Sequence, residues 1–163
     1  MNTLLKIINK LVSFAGVSFV RYNITATCRN ADGSVAWKEE KKNLIATVGR
    51  AVFAQRLAQD YTYTGAIKYG ALGSSTTAPA NGDTQLGTEV FRKAPASYSA
   101  TSNKAYITFV YAVAEAIGTH REFGTFIDGS ASANTGILFS HLAVNWVKTG
   151  VQSLTVDCVY TIS

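Results

Sequence analysis

Charge is scarce in this chain. Asp, Glu, Lys and Arg together make up 15% of its 163 residues, against roughly a quarter in an ordinary globular protein. Ala, Ser, Thr and Gly fill the places that charges usually hold, which fits a surface largely covered by neighbours. Cysteine is rarer still. Cys28 and Cys158 are the only two, too few for a disulfide framework. Free buried thiols are the expected state, although a bridge between terminal strands is geometrically open. His120 and His141 are the only histidines, so a metal site with three or four His and Cys ligands has no spacing to support it. No run approaches the roughly 20 apolar residues of a membrane span. The apolar N-terminus is interrupted by Lys6, Asn9 and Lys10, which leaves no clean signal-peptide core.

What remains is ample for a core. Hydrophobic residues make up 47% of the chain, and the length favours one domain. The formal charge of +5 is uneven, since residues 1–56 hold nine Lys and Arg against three Asp and Glu. That half could face nucleic acid or an acidic partner. The plainer reading is that Lys38, Lys41 and Lys42 interleave with Glu39 and Glu40 on a solvated strand. Nucleic acid is therefore not the expected partner.

Leu4, Leu5, Ile8, Leu11 and Val12 recur at helical spacing, which predicts an amphipathic helix over residues 3–14. So short a helix is marginal alone and must dock. Its own domain and a neighbouring subunit both qualify as the dock. Residues 17–29 alternate as a strand, Asp32-Gly33 marks a turn, and Val35-Ala36-Trp37 begins the return. A second helix is predicted over 47–59, capped by Thr47, with Val48, Ala51, Val52, Gln55 and Leu57 on one face. Further strands are predicted at 65–72, 90–100, 104–114, 120–128, 137–147 and 151–162. About eight strands with regular turns argue for a mainly β, antiparallel sandwich, jelly-roll or Ig-like. The division is an N-terminal helix or arm over 1–16 and one sandwich domain over 17–163.

The stretch from Tyr69 to Ala94 is the most distinctive. It reads as a strand, a loop of small residues, and a short segment ending at Phe91-Arg92. The loop from Gly73 to Asp83 carries almost nothing that could do chemistry, which argues for scaffolding. The sequence "GSSTTAPANGDTQLGTE" followed by "FRKA" resembles a domain that recurs in virion proteins of tailed bacteriophages. "NLIATVGRAVFAQRLA", "AEAIGTHREFGTFIDG" and "LFSHLAVNWVKTGVQSLTVDCVYTI" are similar to other segments of that family. The likeness covers roughly residues 20 to 163, and its motifs are structural rather than catalytic. It implies a virion location, with assembly in the reducing cytoplasm of a bacterial host, where an obligatory disulfide is not expected.

Candidates for chemistry are few. His120 and Glu122, two apart on a strand, would share a face and could touch. Ser140 and His141 are adjacent, so a strand would send them to opposite faces and separate a nucleophile from its base. Glu115, Glu122, Asp128 and Asp157 could supply a glycosidase pair only if two of them faced one groove. The Gly73–Gly82 stretch has no Lys after a Gly and is not a P-loop. Most aromatics sit at strand spacing in apolar context and read as core; Tyr61 and Tyr63 are the exposed-looking pair. No catalytic residue, metal site or cofactor is assigned, and an enzyme is not expected.

The expected function is that of a structural component of a tailed phage particle, in the tail, collar or fibre attachment. It would assemble with itself, as a trimer or hexamer, and with other virion proteins. The expected interface residues are Leu4, Leu5, Ile8, Leu11, Val12, Tyr61 and Tyr63. The alternatives are a capsid decoration or cement protein and a module that recognises a host-surface glycan. No membrane partner is expected.

Overall fold

The computed structural model describes residues 20–42 and 44–162. The predicted N-terminal helix, with Leu4, Leu5, Ile8, Leu11 and Val12, lies outside the described residues. Within them the chain forms ten strands and one helix. Strands β1 (Val20–Arg29), β2 (Val35–Lys42), β10 (Ser153–Ile162), β7 (Lys104–Tyr111) and β6 (Ser97–Thr101) make one antiparallel sheet, in the order β2-β1-β10-β7-β6. Strands β3 (Leu44–Ile45), β9 (Ile137–Lys148), β8 (Gly118–Ile127), β4 (Ile67–Gly73) and β5 (Glu89–Lys93) make the other, in the order β3-β9-β8-β4-β5. Helix α1 (Thr47–Leu57) packs on β9. No helix among the described residues is long and apolar enough to cross a membrane.

Alternation sets the first sheet. Tyr22, Ile24, Ala26 and Cys28 on β1 face the same side as Leu154, Val156, Cys158 and Tyr160 on β10 and Ile107, Phe109 and Tyr111 on β7. Phe123, Leu142, Val144 and Trp146 of the second sheet close the core against them. Each fully buried aromatic or Leu contributes about 1.5–3 kcal/mol through lost apolar exposure. Aromatic stacking within the first sheet and hydrogen bonds to the second add to this. Tyr160 stacks on Tyr22 with ring centroids 4.1 Å apart, and its hydroxyl meets Thr125 Oγ1 at 2.8 Å. Tyr111 donates to the Gly70 carbonyl at 3.1 Å.

The two cysteines are free and buried. They lie on neighbouring strands, but Cys28 is opposite Leu154 while Cys158 is opposite Ile24. That four-residue offset separates them by about 13 Å, beyond the reach of a disulfide. Burial pushes the Cys158 thiol up to about 12, and Tyr22 donates to its sulfur at 2.9 Å.

Several predicted boundaries change. The single strand expected over 90–100 is two strands in different sheets. Pro95 lies between them; it has no N–H to continue a ladder, and the chain crosses over there. β3 was not expected; it is only two residues long. Thr47 is not the cap of α1. Ala46 holds that position with no side-chain hydrogen bond, and Thr47 Oγ1 accepts from Arg50 Nη2 at 3.0 Å. The apolar face predicted for the helix is also displaced. Leu57 is 88% exposed, and the buried positions are Gly49 and Val52.

Gly49 explains the shift. A Cβ there would stand 2.8 Å from Phe139 Cα and 2.9 Å from its carbonyl oxygen, so glycine is what lets α1 lie on β9. Gly49→Ala gains up to about 1 kcal/mol of helix propensity but must push backbone aside, at roughly 1–3 kcal/mol. Net destabilisation is the expected outcome, read as a lower midpoint in chemical denaturation. A rise in midpoint would show that the helix can slide outward freely.

Candidate functional site

The sequence motif singled out above folds onto the outer face of the second sheet. The reason is a pair of register shifts between β8 and β9, in each of which β9 holds the extra residue. They fall between His120 and Glu122 and again between Thr125 and Phe126. A bulge puts two consecutive residues on one side and reverses the alternation beyond it. His120 therefore points into the core opposite Trp146, whereas Glu122 is opposite Ala143 on the outer face. Arg121 is also outside, with Nη1 2.5 Å from Asn145 Oδ1. Phe126, opposite Leu138, joins Ala46, Ala71, Leu86 and Leu138 in a small apolar cluster separate from the main core. The chain between β4 and β5 roofs this cluster, and Leu86 is the roof's buried residue, 1% exposed.

Glu122 holds the roof down. It is fully buried, and its oxygens accept from Ser75 N–H at 3.2 Å, Thr88 N–H at 2.8 Å and Gly87 N–H at 2.9 Å. His141 Nε2 approaches Oε2 at 2.9 Å, and His141 Nδ1 lies 2.7 Å from Asp83 Oδ2. Asp83 Oδ2 also accepts the Ala80 N–H at 2.8 Å. Burial pushes the Asp83 carboxyl up, but the Ala80 N–H and His141 outweigh it and hold it below the usual carboxylate range. Gly73 makes room for the carboxylate, since a Cβ there would come within 2.3 Å of Glu122 Oε1.

The chemistry open to this cluster is limited by its own bonds. A carboxylate offers about four acceptor sites, and Glu122 has four donors directed at it. Each ring nitrogen of His141 faces a carboxylate oxygen, so both of its polar atoms are engaged within the cluster. A shallow hollow of about 260 Å³ lies beside the cluster, with Thr77, Gln85, Asp83 and His141 on its walls. In this arrangement the cluster is a strut that fixes residues 74–88 to the sheet.

A second anchor follows a few residues on. Arg92 and Glu89 are almost completely buried and form a two-pronged pair, Nε to Oε1 at 2.5 Å and Nη2 to Oε2 at 2.8 Å. Arg92 Nη1 then donates to the carbonyls of Ser130 and Thr135 and to Thr135 Oγ1, each at 3.0 Å. Glu89 Oε2 accepts the Asn134 N–H at 3.0 Å. The guanidinium lies over the rings of Phe126 and Tyr69, 4.6 and 5.3 Å from their centroids. The Arg at the end of the motif thus ties down the turn between β8 and β9, where Asp128 and Gly129 adopt positive φ.

Other residues considered from the sequence take simpler places. His120 does not meet Glu122. It is buried, its Nε2 contacts the Ala116 carbonyl at 2.9 Å, and burial pushes its pKa down. Ser140 and His141 do separate; Ser140 Oγ faces inward to Thr125 Oγ1 at 2.6 Å. Glu115 pairs with Lys93, Asp128 with Lys68, and Asp157 accepts from Thr108, so these carboxylates do not share a groove with Glu122. Tyr61 is 65% exposed, with the Arg56 guanidinium 4.5 Å above its ring. Tyr63 is only partly buried and packs against the main core, so the two do not form one exposed pair. Lys38 and Lys41 pair with Glu40 and Glu39 along β2. Among the described residues no group of three His, Cys, Asp or Glu is placed to hold a metal ion.

The sequence reading missed the Glu122–His141–Asp83 line because it assumed unbroken alternation through residues 120–128. The available signal was apolar bulk on both faces there, with Phe123, Phe126 and Ile127 close together, which implies a second cover. Comparison of the chain with protein-family models, with curated proteins and with solved structures gives no match.

Proposed function

We propose that this chain is a structural component of a tailed-bacteriophage particle that works by assembling with copies of itself and with neighbouring virion proteins. The resemblance of residues 20–163 motivates the particle. The observation that carries assembly is the contrast among the four sheet edges. β2 is lined with Lys38, Glu39, Glu40, Lys41 and Lys42, β5 carries Lys93 beside the buried Glu89–Arg92 pair, and β3 is two residues long. Charges and brevity of this kind keep edges from pairing with other chains. β6, Ser97–Thr101, has no charge at all, and every one of its residues is exposed. An unguarded edge is a template for a strand of another subunit.

Position in the tail, collar or fibre attachment follows the family resemblance, with capsid decoration as the alternative. The experiment is mass-resolved light scattering on the purified chain and on Ser97→Lys/Ser99→Lys, together with mass spectrometry of the virus particles that the encoding genome produces. The expected result is a defined trimer or hexamer that the two lysines reduce to monomer, and the chain present in stoichiometric amount in particles. A chain absent from particles would overturn the virion reading. A monomer found in particles would favour decoration of a preformed lattice.

A further inference from the structure

The outer edge of β6 offers a definite set of backbone groups. Ile162 N–H donates to the Asn103 carbonyl at 2.9 Å, and from there Thr161 is opposite Lys104 and Tyr160 opposite Ala105. Hydrogen-bonded pairs alternate along an antiparallel ladder. Ala105 and Ile107 therefore bond toward β10, while Lys104, Tyr106 and Thr108 bond toward β6, where Thr101, Ser99 and Ser97 face them. The N–H and C=O groups of Tyr98 and Ala100 are left pointing outward from the edge. Among the described residues no strand pairs with β6 on that side.

Both ends of this edge are closed off. Ala96 N–H is already given to the Thr108 carbonyl at 2.8 Å, and Pro95 before it has no N–H. Beyond Thr101 the chain turns back at Ser102, with φ 55°. The open groups thus sit symmetrically about Ser99.

That symmetry selects a partner. Let β6 pair antiparallel with β6 of a second copy, centred on Ser99. Tyr98 then stands opposite Ala100 of the second copy, and Ser97 opposite its Thr101. Both Tyr98–Ala100 pairs are of the hydrogen-bonded kind, so every open group finds a partner. A centre at Tyr98 would set Ala100 against Ala96, whose N–H is taken. A centre at Ala100 would set Tyr98 against Ser102 in the turn. A one-residue slip would join the core side of one sheet to the outer side of the other.

The side chains agree with this register. Tyr98 and Ala100 are opposite Ile107 and Ala105 and so lie on the core side of the sheet, yet Tyr98 is 81% exposed. In the pair each Tyr98 ring faces the small Ala100 of the other copy. β6 carries no charge, so its own copy brings no like charges opposite one another.

We propose that β6 is a self-association strand, pairing with β6 of a second copy about Ser99 and joining the two first sheets into one continuous sheet. This rests on the assembly reading above and names its partner strand. The contact is isologous and closes on itself, so no β6 edge stays open. An oligomer built from such pairs has an even number of chains, which selects the hexamer over the trimer.

Five residues a side is a small contact beside a standard interface of about 20–30, so the test traps the pair. Ser99 would face its own copy in a non-hydrogen-bonded pair, with Cα atoms about 4.5 Å apart, within disulfide range. Ser97 would lie four residues out of step with its own copy, about 13 Å away and out of range. The native Cys28 and Cys158 are buried. Full chains carrying Ser99→Cys or Ser97→Cys are oxidised mildly and run on a non-reducing gel. Ser99→Cys is expected to give about tenfold more cross-linked dimer than Ser97→Cys. In the wild-type chain, the Tyr98 and Ala100 N–H groups are expected to exchange about tenfold more slowly at high protein concentration than at low, with the Ser99 N–H unchanged. Equal cross-linking of the two variants, or exchange independent of concentration, would overturn the proposal. If Ser97→Lys/Ser99→Lys dissolves the oligomer but Ser99→Cys does not cross-link, assembly through β6 stands with another partner strand and the two-fold pairing falls. A chain that stays monomeric and gives no Ser99→Cys dimer would overturn both the pairing and self-assembly.

Discussion

Replacing Arg92 by alanine is expected to destabilise the protein by about 3–5 kcal/mol, the range for removing one partner of a buried ion pair. For a domain of this size that lowers the melting temperature on the order of 10 °C. Three losses add in the same place. Glu89, whose side chain is almost fully buried, is left with only the Asn134 N–H of its partners given above. The carbonyls of Ser130 and Thr135 lose their donor, and the rings of Phe126 and Tyr69 lose the cation above them. Arg92→Lys is expected to recover little, because an ammonium cannot present two parallel donors to Glu89 while a third reaches the turn. The discriminating variant is Arg92→Met/Glu89→Leu. Replacing both charges by apolar groups removes the unpaired carboxylate, so this double variant should be more stable than Arg92→Ala alone. Local effect separates from global effect by limited proteolysis, with cleavage expected first within residues 129–136. If Arg92→Ala melts with the wild-type chain, the turn is held by its own Ser130 and Thr135 contacts, and Arg92 is not its anchor.

The fold was legible in the sequence wherever side chains alternated without interruption. Tyr22, Ile24 and Ala26 in β1, and Leu154 through Tyr160 in β10, announce their inner faces directly, and these strands pair as neighbours in register. The Asp32-Gly33 turn was equally plain, since Gly33 adopts φ 83° and Asp32 Oδ1 accepts from Ser34. What could not be read were features decided by tertiary contact. Gly49 looks like a weak point of a helix until Phe139 is placed against it. The register shifts between β8 and β9 change which residues face which side, and no local pattern states where such a shift will fall. Glu122 looked like a partner for His120 for that reason alone. The stretch from Tyr69 to Ala94 read from the sequence as a strand and a small-residue loop. Its bonding partners, Glu122, His141, Ser130 and Thr135, lie some 35 to 60 residues further along, beyond any reading that works by local spacing.

Glu122 carries the second large prediction. Glu122→Ala is expected to cost about 3–5 kcal/mol by stranding three N–H groups and the ring of His141 beneath the roof. Glu122→Gln is the sharper test because it keeps shape and volume. Its amide offers one acceptor oxygen and turns two donors toward a site already crowded with donors, so a loss of roughly 2–3 kcal/mol is expected. The Ser75, Gly87 and Thr88 amides should then exchange faster than those of the core strands. Acid should reproduce part of the effect. The Asp83 carboxyl is held below its usual range in the folded chain. Its contribution is therefore complete above the unfolded value near 3.9 and is lost as pH falls through the lower folded value. Denaturation midpoints measured from pH 6 to pH 2 should fall less steeply in Asp83→Asn than in the wild-type chain. A Glu122→Gln variant as stable as wild type would mean that the four donors do not require a charged acceptor. The roof would then be held by Leu86 and its apolar neighbours.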